Sequence, residues 1–167
     1  MAWRSPDRWR ALLPAFWAGG LVTVAAVATP APFALLGAAD AGRVVGRILA
    51  HEAHASLALG VVVLLLERAR ARRAALEGSF QASQFSGGMA LALAAIFLTV
   101  LGYFALQPLM APARAGQGAF SFAQLHLASS ACYGIKTLLV LALAWRNAAP
   151  TPTMPATAAA EVNRASS

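Results

Sequence analysis

Charge is scarce in this chain, and acid scarcer than base. Lys and Arg number 13, Asp and Glu 6, and together they make up 11% of 167 residues. A soluble domain carries about 25% charged residues, so too little charge is present to cover a water-facing surface. The solvent that fits is lipid. The basic excess gives a net charge of +7 and a pI near 11.3. The arginines sit at the ends of apolar segments, and no aromatic–basic interleaving or groove-reading motif accompanies them, which argues against nucleic acid. A single cysteine, Cys132, excludes an internal disulfide and reads as a small packing residue in a helix. No nucleophile–base pair, glycine-rich phosphate loop or complete metal signature is present to suggest an enzyme.

What the chain has instead is hydrocarbon: 59% hydrophobic residues and a mean hydropathy of +0.64. Four apolar blocks stand out, at 12–36, 48–66, 89–106 and 125–145. No charge falls between Arg10 and Asp40, none between Gly78 and Ala113, and the fourth block is interrupted by Lys136 alone. Each block can cross a hydrocarbon core of about 30 Å. Backbone in lipid must satisfy its own hydrogen bonds, so the blocks are predicted as helices. The expected fold class is all-α, an integral membrane four-helix bundle over residues 11–146. A basic segment, 1–10, precedes it and a disordered tail, 147–167, rich in Ala, Pro and Thr, follows. Pro14 is placed in the first helical turn, where proline is tolerated. The first run exceeds the roughly 7–15 residues of a signal-peptide core and is expected to stay as a helix. Arg4, Arg8, Arg10, Arg68, Arg70, Arg72, Arg73, Arg146 and Arg164 fall on one side, and Arg43, Arg47 and Arg114 on the other. That bias predicts both termini in the cytoplasm, with Trp3, Trp9 and Trp145 near that interface. A multi-pass protein of the bacterial inner (cytoplasmic) membrane is expected.

Polar residues inside such blocks are functional candidates by default. The second block opens with His-Glu-Ala-His at 51–54. Its histidines are three apart, so the H-E-x-x-H zinc pattern is not met. Ala55 breaks the Glu-x-x-His pattern of di-iron bundles. With Glu67 and Arg146 taken as helix ends, a rise of about 1.5 Å per residue puts His54, His51 and His126 roughly 20, 24 and 30 Å up. The candidate cluster is therefore His51, Glu52, His54 and His126, outward-facing, with His54 and His126 expected to approach each other. Imidazoles can hold a transition metal, a His from each of two helices can ligate haem, and Glu52 with the histidines can relay protons. Interfacial histidines also simply meet headgroups, water and carbonyls. Metal or haem is permitted, and the sequence requires neither.

Lys136 lies roughly 15 Å up its helix, near the midplane. There an ammonium needs a counter-charge, and the intramembrane acid on offer is Glu52, roughly 7 Å shallower and nearly within reach of a lysine stem. Tyr133 is one turn away. Gly19-Gly20 and Gly42-x-x-x-Gly46 permit close helix contact.

Several of these residues follow an order that resembles the transmembrane protein 205-like family, a four-helix integral membrane domain of unknown function. The matching positions are Trp17, Gly19, Gly20, Pro32, Phe33, Gly42, Arg43, Gly46, Arg47 and His54. The second half adds Pro108, Met110, Arg114, Phe122, Ala123, Leu125, His126 and Ser129. The likeness covers about residues 10–147. Leu109 and Ala111 stand where polar residues are common in that family, Tyr133 and Lys136 where amides are, and His51-Glu52 is an addition. The resemblance implies a membrane domain and no defined activity. The expected function is a non-enzymatic membrane protein binding a metal ion or small solute at the His/Glu cluster. The alternatives are a haem-bearing redox subunit and a ligand-free assembly partner, with the lipid bilayer around it and a membrane protein or second copy as possible company.

Overall fold

The computed structural model describes residues 6–76 and 85–148, and every regular element among them is helical. Helix α1 (Pro6–Thr23) passes through a π-helical turn, Val24–Ala28, into α2 (Pro30–Leu35). Helix α3 is Ala38–Leu76. Helix α4 (Gly87–Thr99) passes through a second π turn, Val100–Ala105, into α5 (Gln107–Arg114), and α6 is Phe122–Ala148. These make 4 spans long and apolar enough to cross a membrane: Arg8–Leu35, Ala38–Leu76, Gly87–Arg114 and Phe122–Ala148. Trp3, Arg4 and the tail beyond Ala148, expected to be disordered, lie outside the described residues. At 39 residues, α3 measures roughly 58 Å and overruns its apolar block at both ends. The flanking Ala, Leu, Glu and Arg residues are strong helix formers, so charge moves the helix out of hydrocarbon without ending it.

Prolines explain where the other helices bend. Pro14 sits well inside α1, not in the first turn, because the helix begins at Pro6. It has no N–H for the carbonyl four residues back, that of Arg10, and Asn147 Nδ2 donates to that oxygen instead at 3.0 Å. The two π turns end two residues before Pro30 and three before Pro108. Thr29 N–H reaches back five residues to Val24 O at 2.9 Å, and Leu106 N–H to Leu101 O at 3.2 Å. Such register shifts are how membrane helices re-satisfy backbone near proline. Hydroxyls of α6 also donate to backbone of these two spans: Tyr133 Oη to Leu21 O at 2.9 Å and Ser129 Oγ to Gly102 O at 3.0 Å.

The spans form a square. The first packs against the second and fourth, and the third against the second and fourth, while the second and fourth face each other across a diagonal without close backbone contact. Small residues line the contacts, as is usual where lipid offers no hydrophobic drive to associate. Ala18, Ala92 and Ala95 are fully buried beside Trp17, Leu21, Val63, Val140 and Leu143. Large apolar side chains cover the outside, with Phe16 74% exposed and Leu127 71%. Gly19, Gly20, Gly42 and Gly46 do not mediate close helix contact within the chain: a Cβ at any of them meets nothing within 4 Å. Among the described residues, the glycines that do are Gly60, Gly87, Gly88 and Gly102.

At Gly102 an added Cβ would lie 2.8 Å from Cys132 Cβ, an atom next to backbone that cannot swing away. Gly102→Ala should therefore cost about 1–3 kcal/mol. Gly134→Ala, which meets open space, should be neutral or slightly stabilising. Thermal melting of the detergent-solubilised protein separates the two. Equal melting would mean that the third and fourth spans are not in close contact at Gly102.

Candidate functional site

A chain of polar contacts crosses the middle of the bundle. Lys136, 3% exposed, lies near the centre of α6. Its Nζ donates to both oxygens of Glu52 on α3, at 2.8 and 3.1 Å, and sits 4.6 Å from the centroid of the Tyr133 ring. Ser56, one turn from Glu52, donates to the same carboxylate. Ser56 in turn accepts from the Trp17 indole N–H of α1 at 2.8 Å. Three spans thus converge on one carboxylate, and the pair itself bridges the diagonal of the square. Each link answers the requirement that a polar group in hydrocarbon find a partner.

A second carboxylate is buried nearer the arginine-rich end. Glu67 is not the helix terminus expected from the sequence: α3 runs nine residues further and the side chain is 1% exposed. Arg10 donates to its Oε1 through Nε at 3.1 Å and Nη2 at 3.0 Å, and Asn147 Nδ2 adds a bond at 3.2 Å. Among the described residues Glu67 Oε2 has no hydrogen-bond partner. It abuts the first turn of α4, where a Cβ on Gly88 would lie 2.2 Å away, so a positive helix terminus faces the carboxylate. All four spans meet at this group. Neither Arg10 nor Asn147 stands out in the sequence. The signal was the stripe 52, 56, 60, 63, 67 along α3, whose spacing puts Glu67 on the face of Glu52.

The histidines are placed differently from expectation. His51, His54 and His126 are all exposed. His51 Nδ1 bonds Arg47 O at 2.8 Å and His54 Nδ1 bonds Ala50 O at 2.7 Å. The His54 ring meets Phe104 edge-on at 5.3 Å, while His126 stacks on Phe122 at 5.7 Å, with Arg114 over the other ring at 4.5 Å. His54 and His126 stand on the outer faces of non-adjacent helices, so the expected shared site does not form. Among the described residues no three His, Cys, Asp or Glu side chains gather where a metal could be held. The cause is helical phase: at about 100° per residue, Glu52 turns inward while His51 and His54, about 60° apart, turn away from it on one outer side of the helix. Haem ligation between the second and fourth helices fails for the same reason.

Two spaces border Glu52. An interior cavity of about 40 Å³ is lined by Glu52, Lys136, Thr99, Tyr103, Gln107, Ser129 and Tyr133 with apolar neighbours, room for two or three waters at roughly 10–15 Å³ each. On the other side, a lateral groove of about 450 Å³ lies between the first and second spans. Lys136 borders only the first.

A protein-family model described as "Domain of unknown function (DUF4149)" matches residues 12–119, about two thirds of the chain. The matched stretch holds Glu52 and ends before α6. No curated protein and no solved structure matches.

Removing one member of a buried ion pair strands the other charge, commonly at roughly 3–5 kcal/mol, whereas removing both can be nearly neutral. Lys136→Met and Glu52→Gln should each lower the melting temperature. The double variant should recover much of the loss, since both penalties come from one contact. Strictly additive losses in the double-mutant cycle would show that the two charges are not coupled.

Proposed function

The chain belongs to the DUF4149 family, and for this member we propose a multi-pass, non-enzymatic membrane protein that binds a small polar solute at the Lys136–Glu52 centre. Four helices long and apolar enough to cross a membrane support the multi-pass reading, the family match supports a domain of unknown function, and the non-enzymatic reading rests on the sequence motifs alone. One observation carries the solute site: a full ion pair, 2.8 Å apart, spans the diagonal beside a small cavity that both of its members line. Ionisable groups at that depth are costly and mark sites of solute, ion or proton handling. The solute site moves from the outward-facing histidines to the bundle interior, because the histidines do not converge. The finer family reading, transmembrane protein 205-like, rests on the ordered residues from Trp17 to Ser129 set out above.

The nine arginines against three support cytoplasmic termini, and the proposal sets the protein in the bacterial inner membrane. A second reading, an assembly partner, draws on Gly19, Gly20, Gly42 and Gly46, whose open surroundings leave room for another helix.

A reporter fused after Arg164 should be active in the cytoplasm and one inserted near Gly116 outside it. The reverse pattern would overturn the orientation.

For the solute, full-length protein is screened by melting against small amines, amino acids and monovalent anions. A ligand at a hundredfold excess over its Kd stabilises by about 2.7 kcal/mol. It should leave the Lys136→Met/Glu52→Gln protein unmoved. Solutes that stabilise both proteins alike would remove the centre from the function, and a silent screen would favour the assembly partner.

A further inference from the structure

The groove between the first and second spans has features that the interior cavity lacks. Its volume, about 450 Å³, falls in the range of small-molecule sites, roughly 300–1,000 Å³. Its walls are Phe16, Trp17, Leu21, Val24, Ile48 and Leu59, with Gly20 leaving one side bare. It opens sideways, where the apolar exterior of the bundle meets lipid.

The polar inventory of the groove is lopsided. Trp17 Nε1–H is used on Ser56 Oγ, and the Ser56 hydroxyl is used on Glu52. The nitrogen of His51 that faces the Arg47 carbonyl must be its donor, which leaves Nε2 as an acceptor in the neutral ring. What remains for a visitor is therefore acceptor capacity: His51 Nε2, and a lone pair of the Glu52 carboxylate beyond those that already accept from Lys136 and Ser56. The ammonium that balances Glu52 stands behind it, on the cavity side, and does not line the groove. A molecule in the groove meets the negative end of the Lys136–Glu52 pair first. Anions find no free donor there. A cationic N–H head finds a carboxylate, with the Phe16 and Trp17 rings beside it, surfaces that suit a cation.

We propose that this groove binds a lipophilic amine, entering sideways from the bilayer as its ammonium form, its head on Glu52 and its apolar body along Phe16, Trp17 and Leu59. This names a substrate class for the Lys136–Glu52 centre and rests on that reading. The geometry commits to an amine over a plain acyl chain because the polar groups at the inner end only accept.

The test is equilibrium dialysis of decylamine, decanol and decanoate against full-length protein in phosphatidylcholine nanodiscs, with empty nanodiscs subtracted. Decylamine should bind at least tenfold more tightly than the other two. Gly20→Leu, at a position where an added Cβ meets nothing within 4 Å, should reduce amine binding at least tenfold while leaving the melting temperature unchanged. Glu52→Gln should reduce decylamine to the level of decanol. Equal binding of the three probes, or amine binding that survives Gly20→Leu, would overturn the proposal. If the proposal falls while solutes still stabilise only the protein that retains Lys136 and Glu52, the groove is wrong and the centre stands. If solute stabilisation proves independent of the pair as well, both readings fall.

Discussion

The ion pair between Lys136 and Glu52 governs how the rest of this bundle can be arranged. Two opposite charges in hydrocarbon are tolerable only when close and fully bonded, since desolvation of each costs several kcal/mol. Here the partners sit on α3 and α6, helices that face each other across the diagonal without backbone contact. The pair therefore works as a strut. It holds the diagonal open, and the remaining sides of the square close around it through small residues such as Ala95 and Gly102. The cavity beside the pair follows from the same geometry: two slender side chains meeting end to end do not fill the space that bulky apolar layers fill elsewhere.

Backbone satisfaction is the second constraint, and α6 meets most of it. The first and third spans each carry a π turn followed by proline. In lipid no water is available for a freed carbonyl. Tyr133 and Ser129, one turn apart on α6, donate to the first and third spans respectively. Asn147 does the same for the carbonyl that Pro14 frees. Thus the regular helix α6 supplies donors to its two broken neighbours, and its polar residues are explained as much by their backbones as by any ligand.

The four spans were legible because mean hydropathy and block length are sums over many residues, which single substitutions hardly disturb. The nearness of Lys136 to Glu52 was legible too. A side chain on a helix leans toward the N-terminus, so the long lysine stem leans up α6 toward the level of Glu52, and the estimated gap of roughly 7 Å closes. The histidines misled because depth was read without azimuth. His51, His54 and His126 do sit on one half of the chain's height, but helical phase turns them outward. Glu67 is the opposite case: a charge at the end of an apolar run reads as the helix end, yet α3 continues to Leu76. Its partners Arg10 and Asn147 are 57 and 80 residues away in sequence, and no local pattern announces them.

Glu52 and Glu67 make the sharpest comparison in the molecule, because they share a helix and a face yet cannot share a role. Glu67 is 1% exposed, closed in by an arginine, an amide and the first turn of α4. A group so enclosed fastens four helices and has no route to a solute. Glu52 keeps 10% of its side chain exposed and borders both the interior cavity and the lateral groove. Cost alone does not separate them, since both are carboxylates paired with a basic side chain in an apolar bundle. Access does. A carboxylate that touches two spaces of different polarity can exchange partners without unfolding its surroundings, and one that touches none cannot. That difference, rather than the presence of charge in the membrane, is why the proposed binding role falls to Glu52 in the middle of the bundle and fastening to Glu67 at its end.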